Sequence, residues 1–279
     1  MKLKKNQPLV SIIIRTKNEE RWILRCINRI KEQNYKNYEI IIIDNYSTDN
    51  TLVKLSKYKN IKIIKIKNYF PGLAINKGIK NSNGQLCVIL SAHCLPVKNT
   101  WLSSLVDTIL ENNNYAAVYG KQEPMEFSSN EDKRDLYLIF GLDKKIQIKD
   151  TFFHNANSII RKEVWKKIKF DNKTPNIEDR LWAEKIIKKK YNIVYQPSAN
   201  VYHYHGIHQN NNDERLSNVV KIVSNNIKTG SIDPKKTNTF AILPIRGTSS
   251  KLKKINLIEL TINRLKNSKY INKIVVTSD

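Results

Sequence analysis

The feature that most constrains the fold of this chain is the regular alternation of short apolar runs with amphipathic stretches in its first hundred residues. Four runs rich in β-branched residues predict strands that are buried on both faces. These runs are Val10–Ile14, Glu39–Ile43, Ile61–Ile66 and Leu86–Leu90. The helical stretches between them are Glu19–Gln33, Asp49–Lys57 and Leu73–Asn81. Because strands that alternate with helices form parallel βαβ units, we predict an α/β fold with a mostly parallel central sheet.

Polar loops follow three of the predicted strands, which is unusual after such apolar runs. They are Arg15–Glu20, Asp44–Asp49 and Ser91–Pro96. In open parallel sheets, ligands bind outside the carboxyl ends of the strands. The sequence therefore predicts a ligand site formed by these three loops.

The chain is strongly basic. It has 49 Lys and Arg against 25 Asp and Glu, which gives a formal net charge of +24. Such a charge attracts nucleic acid, an anionic membrane surface or a phosphate-bearing ligand. The lysines are spread over a chain that is equally rich in Asn and Ile, which favours a general compositional drift. We therefore expect no specific nucleic-acid partner, while peripheral contact with an anionic membrane stays open.

Cysteine content and hydropathy indicate the compartment. The three cysteines, Cys26, Cys87 and Cys94, have the spacing of neither a disulfide framework nor a metal cluster, which favours a reducing environment. No apolar stretch reaches the roughly 20 residues that a transmembrane helix needs. We expect a cytoplasmic protein whose membrane contact, if any, is peripheral at the inner face.

The order of several motifs carries a family resemblance. The segments VSIIIRTKNEE, YEIIIIDNYSTDNT and NKGIKNSNGQLCVILSAHCLP resemble family 2 glycosyltransferases of the GT-A fold, over about residues 1–230. The resemblance implies a Rossmann-like domain and an inverting transfer from a nucleotide-sugar donor. It also implies a glycan or lipid-linked acceptor in surface polysaccharide or glycoconjugate assembly.

The resemblance assigns side chains to the donor and the sugar. An Asp at a strand end, such as Asp44, can accept hydrogen bonds from a base or a ribose, although Asn45 and Tyr46 depart from the family's Asp-Asp-Gly-Ser-Thr-Asp turn. The full donor-binding set is Arg15, Thr16, Asn18, Glu19, Asp44, Ser47, Asn76, Lys77, Ser91, Ala92 and His93. The residues expected to face the donor sugar and the acceptor are His154, Asn155 and Asn157.

The metal-binding motif of the family is altered in this chain. Where the family carries Asp-x-Asp for Mn²⁺ or Mg²⁺, the sequence has Ser91-Ala92-His93. A second cluster, His203, His205 and His208, lies where the family has a late histidine ligand, and we expect His93, His203 and His205 to be the ligands. Three interpretations stay open: a metal site that uses His93, a metal-free enzyme whose lysines neutralise the diphosphate, and an inactive transferase.

The catalytic base is expected in the segment Asn176–Trp182. Asp179 occupies the usual base position of the family motif, and Glu178 would assist or orient it. A carboxylate suits removal of the acceptor hydroxyl proton. The alternative is an acidic first turn that only complements the helix dipole. Three tryptophans, Trp101, Trp165 and Trp182, are expected in the core.

The C-terminal residues form a separate pattern. We predict a glycosyltransferase domain over 1–232, a linker over 233–238 and a partial βαβ unit over 239–279. The last segment resembles the start of cytidylyltransferases that make CMP-activated acidic sugars. In that family the loop Pro244–Lys251 would wrap the CTP phosphates, with Arg246 and Lys251 as its basic positions. We expect a truncated remnant or the start of a longer fusion.

Three other functions stay open at this point. The first is a catalytically silent module that binds nucleotide sugars or glycans. The second is the transferase half of a fusion with a CMP-sugar synthetase. The third is a basic protein that binds nucleic acid, whose affinity would fall steeply with salt.

Overall fold

A computed structural model describes residues 7–206, 217–219, 221–222, 238–245, 251–252, 255–268 and 271–278. The chain divides into two compact units, residues 1–221 and 222–279. Residues 233–237 of the predicted linker lie outside the described residues, as does His208. No helix within the described ranges is both long and apolar enough to cross a bilayer.

The first half of the larger unit is a parallel α/β arrangement. Its elements are β1 Val10–Thr16, α1 Ile23–Lys31, β2 Tyr38–Asp44, α2 Thr51–Leu55, β3 Ile61–Lys65, α3 Pro71–Lys80 and β4 Leu86–Ser91. Strand β1 pairs in parallel with β2 on one side and with β4 on the other, and β3 extends the sheet beyond β2. All four predicted strands and the βαβ pattern are confirmed.

The second half extends the same sheet with mixed pairing. Its elements are β5 Cys94–Pro96, α4 Trp101–Leu110, β6 Tyr115–Pro124, α5 Asn130–Ile139, β7 Lys145–Gln147, β8 Asn157–Arg161, α6 Lys162–Lys167, α7 Glu178–Lys188 and β9 Asn192–His203. The strand order is β3-β2-β1-β4-β8-β6-β9-β5, with β7 paired to β9. The pairs β4–β8 and β6–β8 are antiparallel, whereas β6–β9 is parallel.

Strand β9 is longer than its sequence pattern indicates. Its continuous apolar run is only Ile193–Tyr195, but β9 runs to His203 because β6 pairs with it through two register shifts and β5 pairs with its end. Cys94 lies opposite His203 in the β5–β9 pair. His203 therefore lies at a strand end.

The core consists of one hydrophobic layer on each face of the sheet. Along β1, Ile12 and Ile14 pack in the layer with α1 and α4, while Ile13 packs in the layer with α3 and α7. This alternation follows from the two-residue period of a strand, and full burial on both faces accounts for the unbroken apolar run. Trp101, Trp165 and Trp182 are buried in these layers, which confirms the predicted core role.

The smaller unit contains a parallel strand pair. Its elements are β10 Phe240–Ile245, β11 Lys251–Leu252, β12 Ile255–Asn256, α8 Leu257–Lys266 and β13 Lys273–Ser278. Strand β10 pairs in parallel with β13 from Phe240 to Ile245, and α8 lies between them in the chain, as the predicted βαβ unit requires. Residues 246–250 of the predicted phosphate loop lie outside the described residues. The resemblance to cytidylyltransferases stays a prediction.

Candidate functional site

A cavity of about 500 Å³ opens at the carboxyl edge of the sheet in the larger unit. It is formed by the segments that follow β1 and β4, the segment before β8, the start of α7 and the end of β9. The predicted site residues that line it are Arg15, Thr16, Glu19, Ser91, His93, His154, Asn155, Glu178, Asp179, His203 and His205. Parallel topology thus brings together residues that are up to 190 positions apart in the chain.

Two adjacent carboxyl groups form one wall of the cavity. Glu178 and Asp179 are the first two residues of α7, and both are buried, with 6% and 9% exposure. Ile177, which precedes them, has a φ of 53°, a left-handed conformation that is rare for a β-branched residue. Such strained residues concentrate at functional sites, where the surrounding structure holds them in place.

Arg15 and Asn155 fix the orientation of the two carboxyl groups. The Arg15 guanidinium lies 3.4 Å from Glu178 Oε1, and the Asn155 side-chain amide donates to the same oxygen at 3.2 Å. Asp179 instead accepts backbone hydrogen bonds, from Asn155 N at 3.1 Å and from Arg180 N at 2.9 Å. Glu178 is therefore an ion-pair partner, and Asp179 is the carboxylate without an ion pair in the described part of the chain.

The environment of this pair changes its proton affinity. Burial raises the pKa of Glu178 above its ordinary value, and the neighbouring charge of Asp179 adds to that rise. Burial also raises the pKa of Asp179, although the backbone donors and Arg180 oppose the shift. A raised pKa suits a carboxylate that must take up a proton, because basicity increases with pKa.

Three histidines cluster on the same cavity. One ring nitrogen from each of His93, His203 and His205 lies within 4.8 Å of the others. The rings of His93 and His203 are nearly parallel, with centroids 5.1 Å apart, and the His203 and His205 centroids are 4.2 Å apart. His93 comes from the loop after β4, whereas the other two come from the end of β9. The fold thus joins the two histidine motifs of the sequence.

The donor atoms of this cluster fit a metal ion. Within the described residues, both ring nitrogens of His203 are buried without a hydrogen-bond partner. Burial lowers the pKa of His203 well below its ordinary value, and the nearby histidines His205, His93 and His154 lower it further, so the ring is neutral and can ligate. His93 Nδ1 donates to Glu19 Oε1 at 2.6 Å, which leaves the lone pair on Nε2. In metal sites, a carboxylate commonly accepts a hydrogen bond from the ring nitrogen that does not face the metal, and so fixes the orientation of the histidine.

The sequence gives no indication of the contacts that hold His205 in place. Ser128 Oγ donates to the Tyr204 carbonyl at 2.6 Å, and the Gly206 amide donates to the buried Asp132 carboxylate at 2.5 Å. The Gly206 carbonyl in turn accepts from His205 Nδ1 at 2.8 Å. The start of α5 therefore positions the second half of the histidine cluster.

Replacing Gly206 by Ala is expected to disturb this contact. A Cβ at this position would lie 2.8 Å from Asp132 Oδ1 and 3.1 Å from its Cα, so the segment must move away from α5. We expect a destabilisation of about 1–3 kcal/mol, typical of overpacking, together with weaker metal binding. Thermal unfolding and a Mn²⁺ titration measure both effects. Gly141→Ala is the control, because a Cβ there meets no atom within 4 Å. Equal effects of the two variants would contradict the contact.

The loops after β1 and β2 are joined through Asp44. Thr16 Oγ1 donates to Asp44 Oδ1 at 3.0 Å, and the Ser47 amide and hydroxyl donate to the same carboxylate at 3.0 and 2.5 Å. Asn18 N donates to Ser47 Oγ, and Asn18 Oδ1 accepts from Thr48 N. Asp44 is fully buried, so it organises the loops that border the cavity. Direct contact of these residues with a nucleotide stays a prediction.

Seven of the predicted binding residues do not line the cavity: Asn18, Asp44 and Ser47 of the loops described above, and Asn76, Lys77, Ala92 and Asn157. Asn76 is buried and binds Trp165 Nε1 and the Phe170 backbone, and Lys77 donates to the Lys65 carbonyl. Ala92 is buried in the hydrophobic core. Asn157 is buried in β8, where its side chain binds Trp101 Nε1, the Ala199 carbonyl and the Lys121 carbonyl. These side chains therefore make contacts within the protein, and their contact with a ligand stays a prediction.

Asn157→Ala is expected to destabilise the fold. The change leaves Trp101 Nε1 and the Ala199 carbonyl without their partner in the interior, and each unsatisfied buried group costs roughly 1–3 kcal/mol. We expect a loss of about 2–4 kcal/mol in the free energy of unfolding, measured by urea denaturation. Asn113→Ala, at an exposed position, is the control. An unchanged stability of Asn157→Ala together with weaker donor binding would contradict this structural role and support the predicted sugar contact.

Comparisons with known proteins show the family and the fold of the chain. The sequence profile described as Glycosyl transferase family 2 matches residues 11–169. An uncharacterized glycosyltransferase of Haemophilus influenzae is 30% identical over 267 residues, which cover 86% of this chain and 81% of that protein. A mannosyltransferase of Pyrobaculum calidifontis, solved in complex with GDP-Man and Mn²⁺, aligns with a TM-score of 0.56 and 18% identity over 71% of this chain and 57% of that chain. The structural likeness shows the fold alone.

A further relative matches over about a third (33%) of its own length. It is the dolichyl N-acetyl-alpha-D-glucosaminyl phosphate 3-beta-D-2,3-diacetamido-2,3-dideoxy-beta-D-glucuronosyltransferase of Methanococcus voltae, 39% identical over 107 residues. The aligned residues are 36% of this chain, and the chain spans about a third (33%) of that relative. Since the family profile covers more than half of the sequence and the Haemophilus influenzae protein aligns over most of both chains, the chain belongs to glycosyl transferase family 2.

Proposed function

We propose that this chain transfers a sugar from a nucleotide-sugar donor to an acceptor hydroxyl, with inversion at the anomeric carbon. The observation that carries the proposal is the placement of the buried Glu178–Asp179 pair and the three-histidine cluster on one cavity. A base and a cation site on the same cavity suit a reaction in which one group loses a proton while another leaves as an anion.

Asp179 is the base in this proposal. Its carboxylate takes the proton of the acceptor hydroxyl as the acceptor oxygen forms a bond to the anomeric carbon. The bond from that carbon to the donor phosphate oxygen breaks, and its electron pair leaves with the nucleotide. Glu178 is held by Arg15 and Asn155, so in this proposal it helps to orient the base and balances charge in the site. The raised pKa of Asp179 favours proton uptake at this position.

His93, His203 and His205 would hold a divalent cation. Three imidazoles favour Mn²⁺ or a softer divalent ion over Mg²⁺, which prefers oxygen ligands. When bound, the ion would neutralise negative charge on the departing phosphate group. The solved relative from Pyrobaculum calidifontis binds GDP-Man and Mn²⁺, which supports the same pairing of donor and metal here.

The acceptor is proposed to be a glycan or a lipid-linked saccharide in surface polysaccharide or glycoconjugate assembly. The name of the Methanococcus voltae relative describes transfer onto a dolichyl-linked acceptor. The formal net charge of +24 favours peripheral contact with an anionic membrane, at its cytoplasmic face, where such an acceptor would be presented.

The test is a panel of UDP-, GDP-, dTDP- and CMP-sugars, each assayed for binding and slow hydrolysis with Mn²⁺ and with EDTA. We expect turnover of one donor that depends on Mn²⁺. Turnover that EDTA leaves unchanged would retain the transferase and exclude the metal site. Binding without hydrolysis, or no binding of any donor, would favour a silent glycan-binding module.

A further inference from the structure

An exposed group of basic and aromatic side chains lies at the start of α1. Arg21 and Arg25 are exposed, whereas Trp22 between them is buried. The Arg21 and Arg25 guanidinium groups lie 4.7 and 5.6 Å from the centroid of the Trp22 ring. Phe127, from the segment between β6 and α5, packs nearly parallel to Trp22 at a centroid distance of 5.9 Å. We refer to Arg21, Trp22, Arg25 and Phe127 as the basic–aromatic surface.

The two guanidinium groups of this surface are suited to bind an anion. Within the described ranges, neither Arg21 nor Arg25 forms an ion pair. Glu20, the acidic residue next to Arg21, instead accepts a hydrogen bond from Asn50 N at 3.0 Å. A guanidinium that stacks on an aromatic ring keeps its N–H donors in its own plane, where a phosphate can accept two of them at once. Stacking therefore holds the arginines in place and leaves them able to bind phosphate.

Phe127 gives the surface an apolar part. Its side chain is 57% exposed, although its ring packs on Trp22 and lies 5.2 Å from the Arg21 guanidinium. Further exposed apolar side chains follow in the same segment: Tyr137 and Leu138 at the end of α5, and Leu142 after it. Several exposed apolar side chains within one segment indicate an interaction site. An aromatic ring beside arginines fits the boundary between lipid headgroups and acyl chains.

Other charges near Phe127 decide which groups carry the electrostatic part of a contact. Lys133 Nζ donates to the Glu126 carbonyl at 2.6 Å, which places a third cation beside this segment. The exposed carboxylates of Glu126 and Glu131 offset part of the positive charge. A polyanion such as nucleic acid would gain only from the cations, whereas a bilayer with anionic lipids also gains from the apolar side chains. The combination favours the bilayer.

The basic–aromatic surface adjoins the cavity. The Trp22 ring stacks on the Tyr204 ring at a centroid distance of 5.6 Å, and the Tyr204 ring meets His93 edge-on at 5.4 Å. His93 lines the cavity, as does His205, which follows Tyr204 in the chain. A bilayer that contacts the surface would therefore lie next to the part of the cavity that the histidines line.

We propose that the basic–aromatic surface docks the protein on an anionic lipid bilayer, with Arg21 and Arg25 on lipid phosphates and Phe127 at the level of the headgroups. This inference rests on the proposed function, which places the acceptor at a membrane. It names the face of the protein that meets the lipid, and it predicts a localised contact in place of a diffuse attraction by the net charge of +24. The contact brings the cavity close to a lipid-linked acceptor.

The experiment measures binding of the full chain to vesicles of phosphatidylcholine with phosphatidylglycerol, and to vesicles of phosphatidylcholine alone. The first variant combines Arg21→Gln with Arg25→Gln. Its matched control combines Lys166→Gln with Lys167→Gln, which removes two exposed charges from α6. Helix α6 packs in the layer on the other face of the sheet from α1. A third protein combines Arg21→Lys with Arg25→Lys and so keeps the positive charge.

The apolar part of the surface is tested by Phe127→Ala. Leu110→Ala, at an exposed position on α4, is its control. Thermal unfolding, sedimentation and donor hydrolysis in the absence of acceptor are measured on the same samples.

We expect the Arg→Gln double variant to bind the anionic vesicles roughly 10- to 50-fold more weakly, since one basic residue near an anionic surface accounts for about fivefold. Phe127→Ala should weaken binding by about 3- to 10-fold, because part of the ring no longer leaves water. Both controls should change it by less than about twofold, because charges away from the contact are screened by salt. The Arg→Lys double variant should retain most of the affinity. Melting temperature and donor hydrolysis should stay at the wild-type values.

Four results would overturn the docking surface. Equal weakening by the arginine and lysine variants would show a diffuse attraction. Competition by inorganic phosphate at matched ionic strength, with no effect of Phe127→Ala, would show a site for free phosphate. Unchanged vesicle binding by Phe127→Ala, with a shift from dimer to monomer in sedimentation, would assign the surface to a second copy of the chain. A lower melting temperature without rescue by the Arg→Lys variant would show a structural role.

Failure of the inference and failure of the proposed function give different results. If the wild-type protein hydrolyses a donor but binds neither kind of vesicle, the docking surface fails and sugar transfer stands. If it binds anionic vesicles through Arg21, Arg25 and Phe127 but hydrolyses no donor, the docking surface stands and the proposed transfer fails.

Discussion

Asp179→Asn is expected to reduce the rate of sugar transfer by about 10²–10⁴-fold, the usual contribution of a general base. The amide cannot take up the acceptor proton, yet it is nearly the same size as the carboxylate. Its oxygen can still accept one of the two backbone hydrogen bonds, from Asn155 N or Arg180 N. The loss is therefore expected in kcat, with donor binding changed less than about threefold by isothermal titration.

The control for this variant is Asp143→Asn, an exposed carboxyl group outside the cavity lining. We expect it to retain the wild-type rate. Donor hydrolysis in the absence of acceptor should fall as well, because the attacking water must also give up a proton. If Asp179→Asn transfers at more than about a tenth of the wild-type rate, well outside the range for a base, Asp179 is not the base.

The Asp179 carboxylate also sets the expected pH dependence of sugar transfer. Burial raises the pKa of Asp179, and the protonated form cannot act as a base. The value of kcat/KM should therefore fall as the pH decreases through this raised pKa, at a higher pH than the ordinary value of about 4 for Asp would give. Asp179→Asn should lose this acidic limb. The pKa of the neighbouring Glu178 is raised as well. The acidic limb of the pH profile therefore reflects the titration of the two carboxyl groups together.

The sequence is informative where its patterns are local. Continuous β-branched runs predict β1, β2, β3 and β4, because a strand buried on both faces needs apolar residues at every position. Parallel pairing then requires that the residues after those strands meet at one edge, which correctly groups Arg15, Ser91 and His93 on one cavity. The short acidic motif at Glu178 is also local, and it begins α7 on that cavity.

Features that depend on distant contacts could not be predicted. The Asn157 side chain is of a type that can bind sugar hydroxyls. In the folded sheet, however, it forms hydrogen bonds with Trp101 and Ala199, which are distant from it in the sequence. The buried carboxylate of Asp132, which anchors Gly206, lies on an otherwise ordinary amphipathic helix. Strand β9 extends to His203 only because β5 and β6 pair with it. No periodicity in the sequence marks these contacts.

His203→Ala is expected to weaken Mn²⁺ binding by more than about 100-fold. Even the loss of a residue that only hydrogen-bonds to a metal ligand typically lowers metal affinity by about 10–100-fold. Both ring nitrogens of His203 lack a hydrogen-bond partner among the described residues. Removal of the ring therefore breaks no hydrogen bond with any of those residues. The metal-free variant should therefore fold much as the wild type does. The wild-type protein should gain melting temperature when Mn²⁺ is added, because a ligand at 100 times its Kd adds about 2.7 kcal/mol.

His203→Ala should not show this rise in melting temperature with Mn²⁺. Its sugar transfer should be much slower than that of the wild type, and EDTA should not change the remaining rate. Tyr202→Ala is the matched control, because it changes the neighbouring residue of β9, whose side chain is more exposed and lies on the other face of the strand. Glu19→Gln keeps the ligands but weakens the partner of His93, so an intermediate loss of about 10–100-fold is expected. Equal Mn²⁺ affinities of His203→Ala and Tyr202→Ala would exclude the histidine cluster as the metal site. Transfer by His203→Ala at the wild-type rate would then favour a metal-free enzyme in which lysines neutralise the departing phosphate.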